Sequence, residues 1–432
     1  MNLEEKLRAL KIAARQSARD TELERQLEYL RRVEQVPKKL PAQRVPKGIE
    51  HYVDGRVETN SCGEFFAARQ ALPFGRPYGK LRIGDISTAD LNPLNIFLPD
   101  AQLPEAASLV YLDTETTGLV GGTGTCAFLI GIGAVEGSQF VVRQFFLRDY
   151  PEEKAVLTAL AQALEPFQGL ATFNGKTFDV PLLETRFALA RMKSPFARLV
   201  HLDLLHPARR LWKMRLESCE LTRLEKEVLG INREGDVDGS EIPGIYFDYL
   251  RAGDARGLQP VFYHNALDII TLAALTAELA RVIAEGAETL APGTDLFSLS
   301  RIFERAGDAE KSVSTCRRAL SGGLPQTIET RALWHLASQH KRQRQYDLAA
   351  ELWNEVTRRA APFSILAYEE LAIHYEHRRR DFPAALAFTE TALQRLRDFP
   401  SSKAHFNRFS HRLERLRKKT ARAATLDPIA RD

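Results

Sequence analysis

Between residues 108 and 147 the chain carries three runs, SLVYLDTE, AFLIGIGAV and QFVVRQFFL, rich in β-branched and aromatic residues and parted by glycine-containing turns. Such runs predict a meander of antiparallel strands, because these side chains pack well on a pleated surface. Helix and strand patterns then alternate: helix over 152–165, strand over 170–173, helix over 178–192, strand over 199–204, and helices up to about 285. Three hairpin-linked strands followed by α/β alternation restrict this part of the chain to a mixed sheet covered by helices.

The flanks read differently. Residues 2–35 predict a charged helix, with Leu3, Leu7, Leu10, Leu27 and Leu30 near helical spacing, ended by the proline-containing stretch 37–46. Residues 48–106 hold many Gly and Pro (FGRPYGK, LNPLNIF) and no long periodicity, which predicts irregular structure with short strands. After Pro292 three segments align on their turns: LFSLSRIFERAGDAEKSVSTCRRAL, ALWHLASQHKRQRQYDLAAELWNEV and AYEELAIHYEHRRRDFPAALAFTETAL. Each reads as a helix, a short polar turn and a second helix. Leu299, Leu336 and Leu371 recur at intervals of 37 and 35 residues, and Ser312, Ala349 and Ala385 at 37 and 36. This period, with small residues where paired helices approach, resembles the tetratricopeptide repeat. The expected division is a helix and linker over 1–47, a lead-in segment over 48–106, an α/β domain over 107–287, and helical repeats with a basic tail over 293–425.

At 432 residues, 44% apolar and 27% charged, the chain can bury several cores and is neither wholly disordered nor collagen-like. The net charge of +4 hides an uneven distribution: residues 1–50 carry +4, residues 401–432 carry +6, and the middle carries −6. An acidic centre between basic ends suits metal ions in the core and a polyanion at the periphery. Cys62, Cys126, Cys219 and Cys316 form no C-x-x-C pair, so neither a disulfide framework nor a zinc ribbon is indicated. No apolar run approaches 18 residues, and the first residues mix Glu with Lys and Arg. A cytoplasmic protein that neither spans a membrane nor is exported is expected.

The chemistry-bearing positions are carboxylates. In YLDTETTGL, Asp113 and Glu115 lie two apart at the end of a hydrophobic strand, so the period of two points both to one face. Two hard ligands on one face suit Mg²⁺ or Mn²⁺. In FNGKTFDVPLL, Asn174 and Asp179 bracket Phe178 at a strand-to-helix junction, and in YHNALDIITL Asp268 lies within an apolar helical run. On a helix His264 is about 40° from Asp268 and Tyr263 about 140°, so His264 and Asp268 share a face.

In order and spacing these segments resemble the DEDD superfamily of 3′-to-5′ exonucleases, whose fold is a ribonuclease-H-like mixed sheet. The stretch HLDLLHPARRLWKMRLESCELTRLEKEVLGINREGDVDGSEIPGIYFDYLRAGD at 201–254, followed by HNALDIITL, is similar to the YprB-like ribonuclease-H-like family of bacteria, some members of which carry tetratricopeptide repeats. The resemblance covers about residues 108–285. It implies that Asp113, Glu115, Asp179 and Asp268 hold two divalent cations, Mg²⁺ or Mn²⁺, which activate a water and stabilise the leaving oxygen of a phosphodiester. It implies His264 as the general base, since an imidazole accepts a proton near neutral pH. Thr114, Thr117, Gly118, Asn174, Lys176 and Arg209 are the candidate substrate contacts. Asp203 is expected to support the site, and Arg210 beside Arg209 is a second candidate for phosphate.

Three other motifs are set aside. GKT at 175–177 lacks the first glycine of a phosphate loop, since Leu170 stands there. DVDGSE at 236–241 lacks the third alternating ligand and the terminal Glu of a calcium loop and reads as a turn. GGTGT at 121–125 lacks dinucleotide-binding spacing. The expectation is a metal-dependent nuclease acting on DNA or RNA, with the repeats recruiting a protein partner or guiding substrate. The competing expectation is a tetratricopeptide adaptor whose nuclease-like domain binds nucleic acid without cutting.

Overall fold

The β-rich runs pair as their pattern requires. A computed structural model describes residues 47–118, 124–288, 292–359, 364–398 and 403–426, so the helix expected over 2–35 and most of GGTGT lie outside the described residues. The described chain from Gly48 onward forms one unit. Its elements are β1 (Gly55–Asn60), β2 (Gly63–Pro73), a small hairpin β3 (Pro77–Tyr78) and β4 (Leu81–Arg82), α1 (Ile83–Thr88), β5 (Leu109–Thr116), β6 (Ala127–Glu136), β7 (Gln139–Phe146), α2 (Glu153–Leu164), β8 (Gly169–Thr172), α3 (Asp179–Leu189), β9 (Val200–Asp203) and α4 (Leu205–Trp212). There follow α5 (Leu221–Leu224), running into a π-helical turn (Glu225–Leu229), then α6 (Ile242–Ala252) and the long α7 (Leu258–Glu285). The seven-stranded sheet has the order β1-β2-β7-β6-β5-β8-β9, antiparallel from β1 to β5 and parallel from β5 to β9.

The segment 48–106, expected to be irregular with short strands, contributes two strands to this sheet, and β2 is 11 residues long. Locally its signal is weak, because Gly63, Pro73 and the polar pair Arg69–Gln70 interrupt the apolar alternation. The cause is long-range: the outer edge of β7 presents unpaired backbone groups, and β2 pairs with it from Phe66 to Pro73. Phe66 and Leu72 are buried there.

Both faces of β5 are covered. Leu109 and Tyr111 join Phe140, Val142 and the α7 residues Ile269 and Ala273, whereas Val110 and Leu112 join Phe128, Leu160 of α2, Phe187 of α3 and Tyr246 of α6. The glycines of AFLIGIGAV set the depth of α7. A Cβ on Gly131 would fall 2.2 Å from Asn265 Oδ1, and one on Gly133 would fall 2.3 Å from Ile269 Cγ2. The missing side chains therefore let α7 lie against the sheet.

Seven further helices follow: α8 (Gly293–Arg305), α9 (Ala309–Ser321), α10 (Gln326–Arg342), α11 (Tyr346–Thr357), α12 (Ser364–His374), α13 (Phe382–Asp398) and α14 (Lys403–Leu426). Each packs on the next, and the repeat positions Leu299, Leu336, Leu371, Ser312, Ala349 and Ala385 are all buried. The helical region thus fits the expected repeats. It grows directly from the α/β domain, since Leu299, Ile302 and Phe303 of α8 share a core with α4 and α7. Arg215 also pairs with the buried Asp295 at 2.8 Å.

Candidate active site

Four carboxylates converge on the C-terminal end of β5. Asp113 and Glu115 lie on the α7 side of the strand: Asp113 Oδ2 accepts from Asn265 Nδ2 at 3.0 Å, and Glu115 Oε1 is 4.0 Å from His264 Nε2. A register shift between Glu115 and Thr116 marks a bulge where β5 leaves β6, a device common beside functional sites because it re-aims side chains. Asp179 opens α3 and accepts from Thr114 Oγ1 at 2.5 Å. Asp268, one turn beyond His264 on α7, has Oδ2 3.6 Å from His264 Nε2. The side chains of Glu115 and Asp268 keep 13% and 15% of their surface exposed, so the group lines a cleft rather than a sealed core.

The carboxylates repel one another. Burial, then the charges of Asp268, Glu115 and Asp179, holds Asp113 well above the ordinary carboxylate range. Burial and the charges of Asp268 and Asp179 push Glu115 up to about 8. Burial raises Asp179 to about 6 against the opposing Thr114 hydrogen bond. Such a cluster has more negative charge than its surroundings offset.

The loop 230–241, of which the sequence reading takes only DVDGSE at 236–241 as a turn, supplies the cluster's neighbours. His264 Nδ1 donates to Asp236, 2.9 Å from Oδ1 and 3.0 Å from Oδ2. Burial would raise Asp236, yet the Arg233 hydrogen bond and His264 hold it below its usual range. The guanidinium of Arg233 bonds Glu225 twice at 2.7 Å, Asp236 at 2.9 Å, and Asp268 through a short contact. Glu225, on the π-helical turn, also accepts from Thr271. Behind Asp113, Gln144 Nε2 donates to Asn265 Oδ1 at 2.9 Å, fixing which way that amide turns.

Sequence reasoning missed Asp236, Arg233, Asn265 and Gln144. Asn265 could have been found, because it follows His264 directly and faces the strand glycines. No local signal marks the other three, whose partners lie on other elements.

The remaining candidates disperse. Thr114 spends its hydroxyl on Asp179. Thr117 is tied to Cys126 across the hairpin, and Gly118 accepts from Thr116. Asn174 has a left-handed backbone, φ 66°, and its amide and that of Lys176 donate to the buried Asp203 at 2.8 and 3.1 Å. Asp203 therefore shapes the loop before Asp179, and the Lys176 side chain is exposed. Arg209 stands apart from the carboxylates, in a groove between α4 and α8 with Arg210 beside it.

Among the described residues, no three His, Cys, Asp or Glu side chains stand where they would hold a metal ion as now arranged. Asp113, Asp179 and Asp268 each have an oxygen engaged by Asn265, Thr114 or Arg233. The donor set still fits a divalent cation in kind, since all four groups are hard oxygen donors whose mutual repulsion a cation would relieve.

The family profile of the RNase_H superfamily matches residues 110–280. The chain is also 30% identical over 288 residues to the "Uncharacterized protein YprB" of Bacillus subtilis (strain 168), a stretch covering 66% of this chain and 69% of that protein. The chain belongs to the ribonuclease H superfamily and, within it, to the YprB-like family. A solved structure of "Podosopora anserina putative kinesin light chain nearly identical TPR-like repeats" matches over 38% of this chain and 83% of that one, at 16% identity and a TM-score of 0.28.

Proposed function

We propose that the protein is a metal-dependent nuclease that removes nucleotides from the 3′ end of DNA or RNA by a two-cation mechanism. The observation that carries this reading is the convergence of Asp113, Glu115, Asp179 and Asp268 on one cleft with His264, whose imidazole is oriented by Asp236. Two bound cations, Mg²⁺ or Mn²⁺, would lower the pKa of a water and stabilise the leaving oxygen. Asp113, Glu115, Asp179 and Asp268 would hold them. The chain's own residues do the rest. Asp236 keeps the His264 proton on Nδ1, leaving the Nε2 lone pair toward Glu115 and Asp268 to accept a proton. Asn265 and Thr114 hold Asp113 and Asp179 in place. Phe178 and Tyr263, 52% and 45% exposed, adjoin Asp179 and His264 in sequence and offer aromatic faces for the bases of a terminal nucleotide. Thr117, Gly118, Asn174 and Lys176 would contact substrate phosphates.

A second reading, a tetratricopeptide adaptor that binds nucleic acid without cutting, is favoured by the Arg233–Asp268 ion pair, which occupies an oxygen that a cation would need.

The two are separated by incubating 5′-labelled single-stranded and duplex DNA and RNA with Mn²⁺, Mg²⁺ or EDTA, comparing wild type with Asp113→Ala. A ladder shortening from the 3′ end, dependent on metal and absent in the variant, is expected. Binding without cleavage of any substrate would overturn the nuclease and leave the adaptor.

A further inference from the structure

Away from the carboxylates, the exposed end of α4 and the first repeat helix α8 form a groove of about 400 Å³. His206, Arg209, Arg210, Lys213, Arg301 and Arg305 line it, and no acidic side chain does. Among the described residues, none of these six is in an ion pair, unlike Arg342, Arg359 and Arg415 of the helical region, each of which pairs with a Glu. The nearest acid on α8, Glu304, is engaged by His335 and Arg342. Like charges gathered without counter-charges repel, and the cost shows at Arg301, where burial and then Arg305 and Arg331 depress the guanidinium below its usual range.

Two further observations point to a ligand. Ser298 Oγ, on the same helix and lining the groove, is 1% exposed yet has no hydrogen-bond partner among the described residues. A buried hydroxyl is rarely left unmatched. The groove also leads somewhere. His206 and Arg210 line a second hollow of about 270 Å³ together with Lys176, which stands three residues before Asp179. There the guanidinium of Arg210 lies 5.8 Å from the Phe97 ring centroid. The acid in that hollow, Asp203, is committed to the amides of Asn174, Lys176 and Leu205.

We infer that the α4–α8 groove binds the sugar–phosphate backbone of a nucleic-acid strand and leads it past Lys176 to the carboxylate cleft. The inference rests on the nuclease reading for where the strand ends, but the groove's occupant is argued from its own charge. A row of cations spaced along a groove matches the repeating phosphates of a strand, and phosphate contacts position a substrate without reading its bases. Half of the groove comes from the α/β domain and half from the first repeat. The repeat region is thus part of the substrate path.

The test uses the full chain and a 5′-fluorescein-labelled 20-mer, as DNA and as RNA, with anisotropy read across a KCl series in EDTA so that nothing is cut. The triple variant Lys213→Ala, Arg301→Ala, Arg305→Ala removes three cations. Each phosphate contact to a single strand contributes about 0.7 to the salt slope, so a fall in slope of about 2 and roughly a hundredfold loss of affinity near 0.1 M salt are expected. Arg305→Glu, a single change at an exposed position, gives a second reading free of folding damage, with a loss in the same direction. Wild-type slope and affinity in both variants would overturn the groove, as would an oligonucleotide that wild type does not bind while polyglutamate does, which would assign the groove to an acidic protein segment. Metal-dependent cleavage by wild type and Asp113→Ala is followed in parallel. If wild type binds through the groove and cuts nothing, the nuclease reading fails while the groove stands.

Discussion

The imidazole of His264 has two nitrogens, and Asp236 decides which of them faces the cleft. With the carboxylate accepting from Nδ1 at 2.9 Å, the proton stays there and Nε2 is left with its lone pair 4.0 Å from Glu115 and 3.6 Å from Asp268. Asp236→Asn keeps the size and removes the charge that fixes this tautomer. The expected outcome in steady-state cleavage assays is a fall in kcat of about a hundredfold or more, the range a general base supplies, with KM little changed and the pH profile altered. An unchanged kcat would remove His264 from the reaction. The same residues show what a sequence reveals of a site. The shared face of Asp113 and Glu115 was legible, because a strand's period of two is a local property. The one-turn relation of His264 to Asp268 was legible for the same reason on a helix. Asp236 and Arg233 were not, since a loop such as NREGDVDG has no period, and its side chains acquire meaning only when α7 folds against it.

At the scale of elements the same distinction holds. The runs over 108–147 and the alternation after them announced β5 to β9, because β5 to β8 each carry an apolar run that is buried in the sheet. The extent of β1 and β2 was not legible beyond an expectation of short strands, because the edge strand β1 has no fully buried residue and the apolar pattern of β2, which lies between β1 and β7, breaks at Gly63, Arg69, Gln70 and Pro73. The repeats were legible as a period, but the device that seats the last helix was not. Glu376, 2% exposed on a π-helical turn after α12, accepts from Arg412, Arg415 and Lys419 of α14 at 2.8 to 2.9 Å. Burial alone would raise Glu376, but the hydrogen bonds from Arg415 and Lys419 prevail and hold it at about 2, against an ordinary value of 4.5. A group depressed on folding contributes stability that is fully present above its unfolded value and is lost as pH falls toward its folded one. The seating of α14 should therefore weaken between about pH 4.5 and 2. Glu376→Gln leaves the arginines without their partner, and about 3 kcal/mol of local stability should be lost at neutral pH. Hydrogen exchange along α14 reads both effects: the variant's amides exchange faster than wild type's at pH 7, and the gap closes as pH falls from about 4.5 to 2.

For the whole molecule the central question is charge. The core of the α/β domain gathers Asp113, Glu115, Asp179 and Asp268 in one cleft, with Arg233 the cation bonded among them, while Arg209, Arg210, Lys213, Arg301 and Arg305 line the α4–α8 groove with no acid among its lining residues. Neither collection favours folding by itself, since like charges oppose compaction. Each becomes favourable when a partner of opposite charge arrives, a divalent cation for the cleft and a polyanion for the groove. A ligand that binds only the folded state stabilises it by mass action, about 2.7 kcal/mol when present at a hundred times its dissociation constant. In a domain of this size that amount raises Tm by about 5 °C or more. Millimolar Mn²⁺ should therefore raise the thermal transition of EDTA-treated protein, and Asp113→Ala together with Asp268→Asn should abolish the rise. Because Arg233 occupies one oxygen of Asp268, Arg233→Met is the informative partner: it loses stability in EDTA, where Asp236, Asp268 and Glu225 lose their shared guanidinium, and regains more than wild type does when Mn²⁺ is added. Equal metal-induced shifts in wild type and in the Asp113, Asp268 double variant would mean that the cation binds elsewhere, and the cleft would lose its claim to the metal.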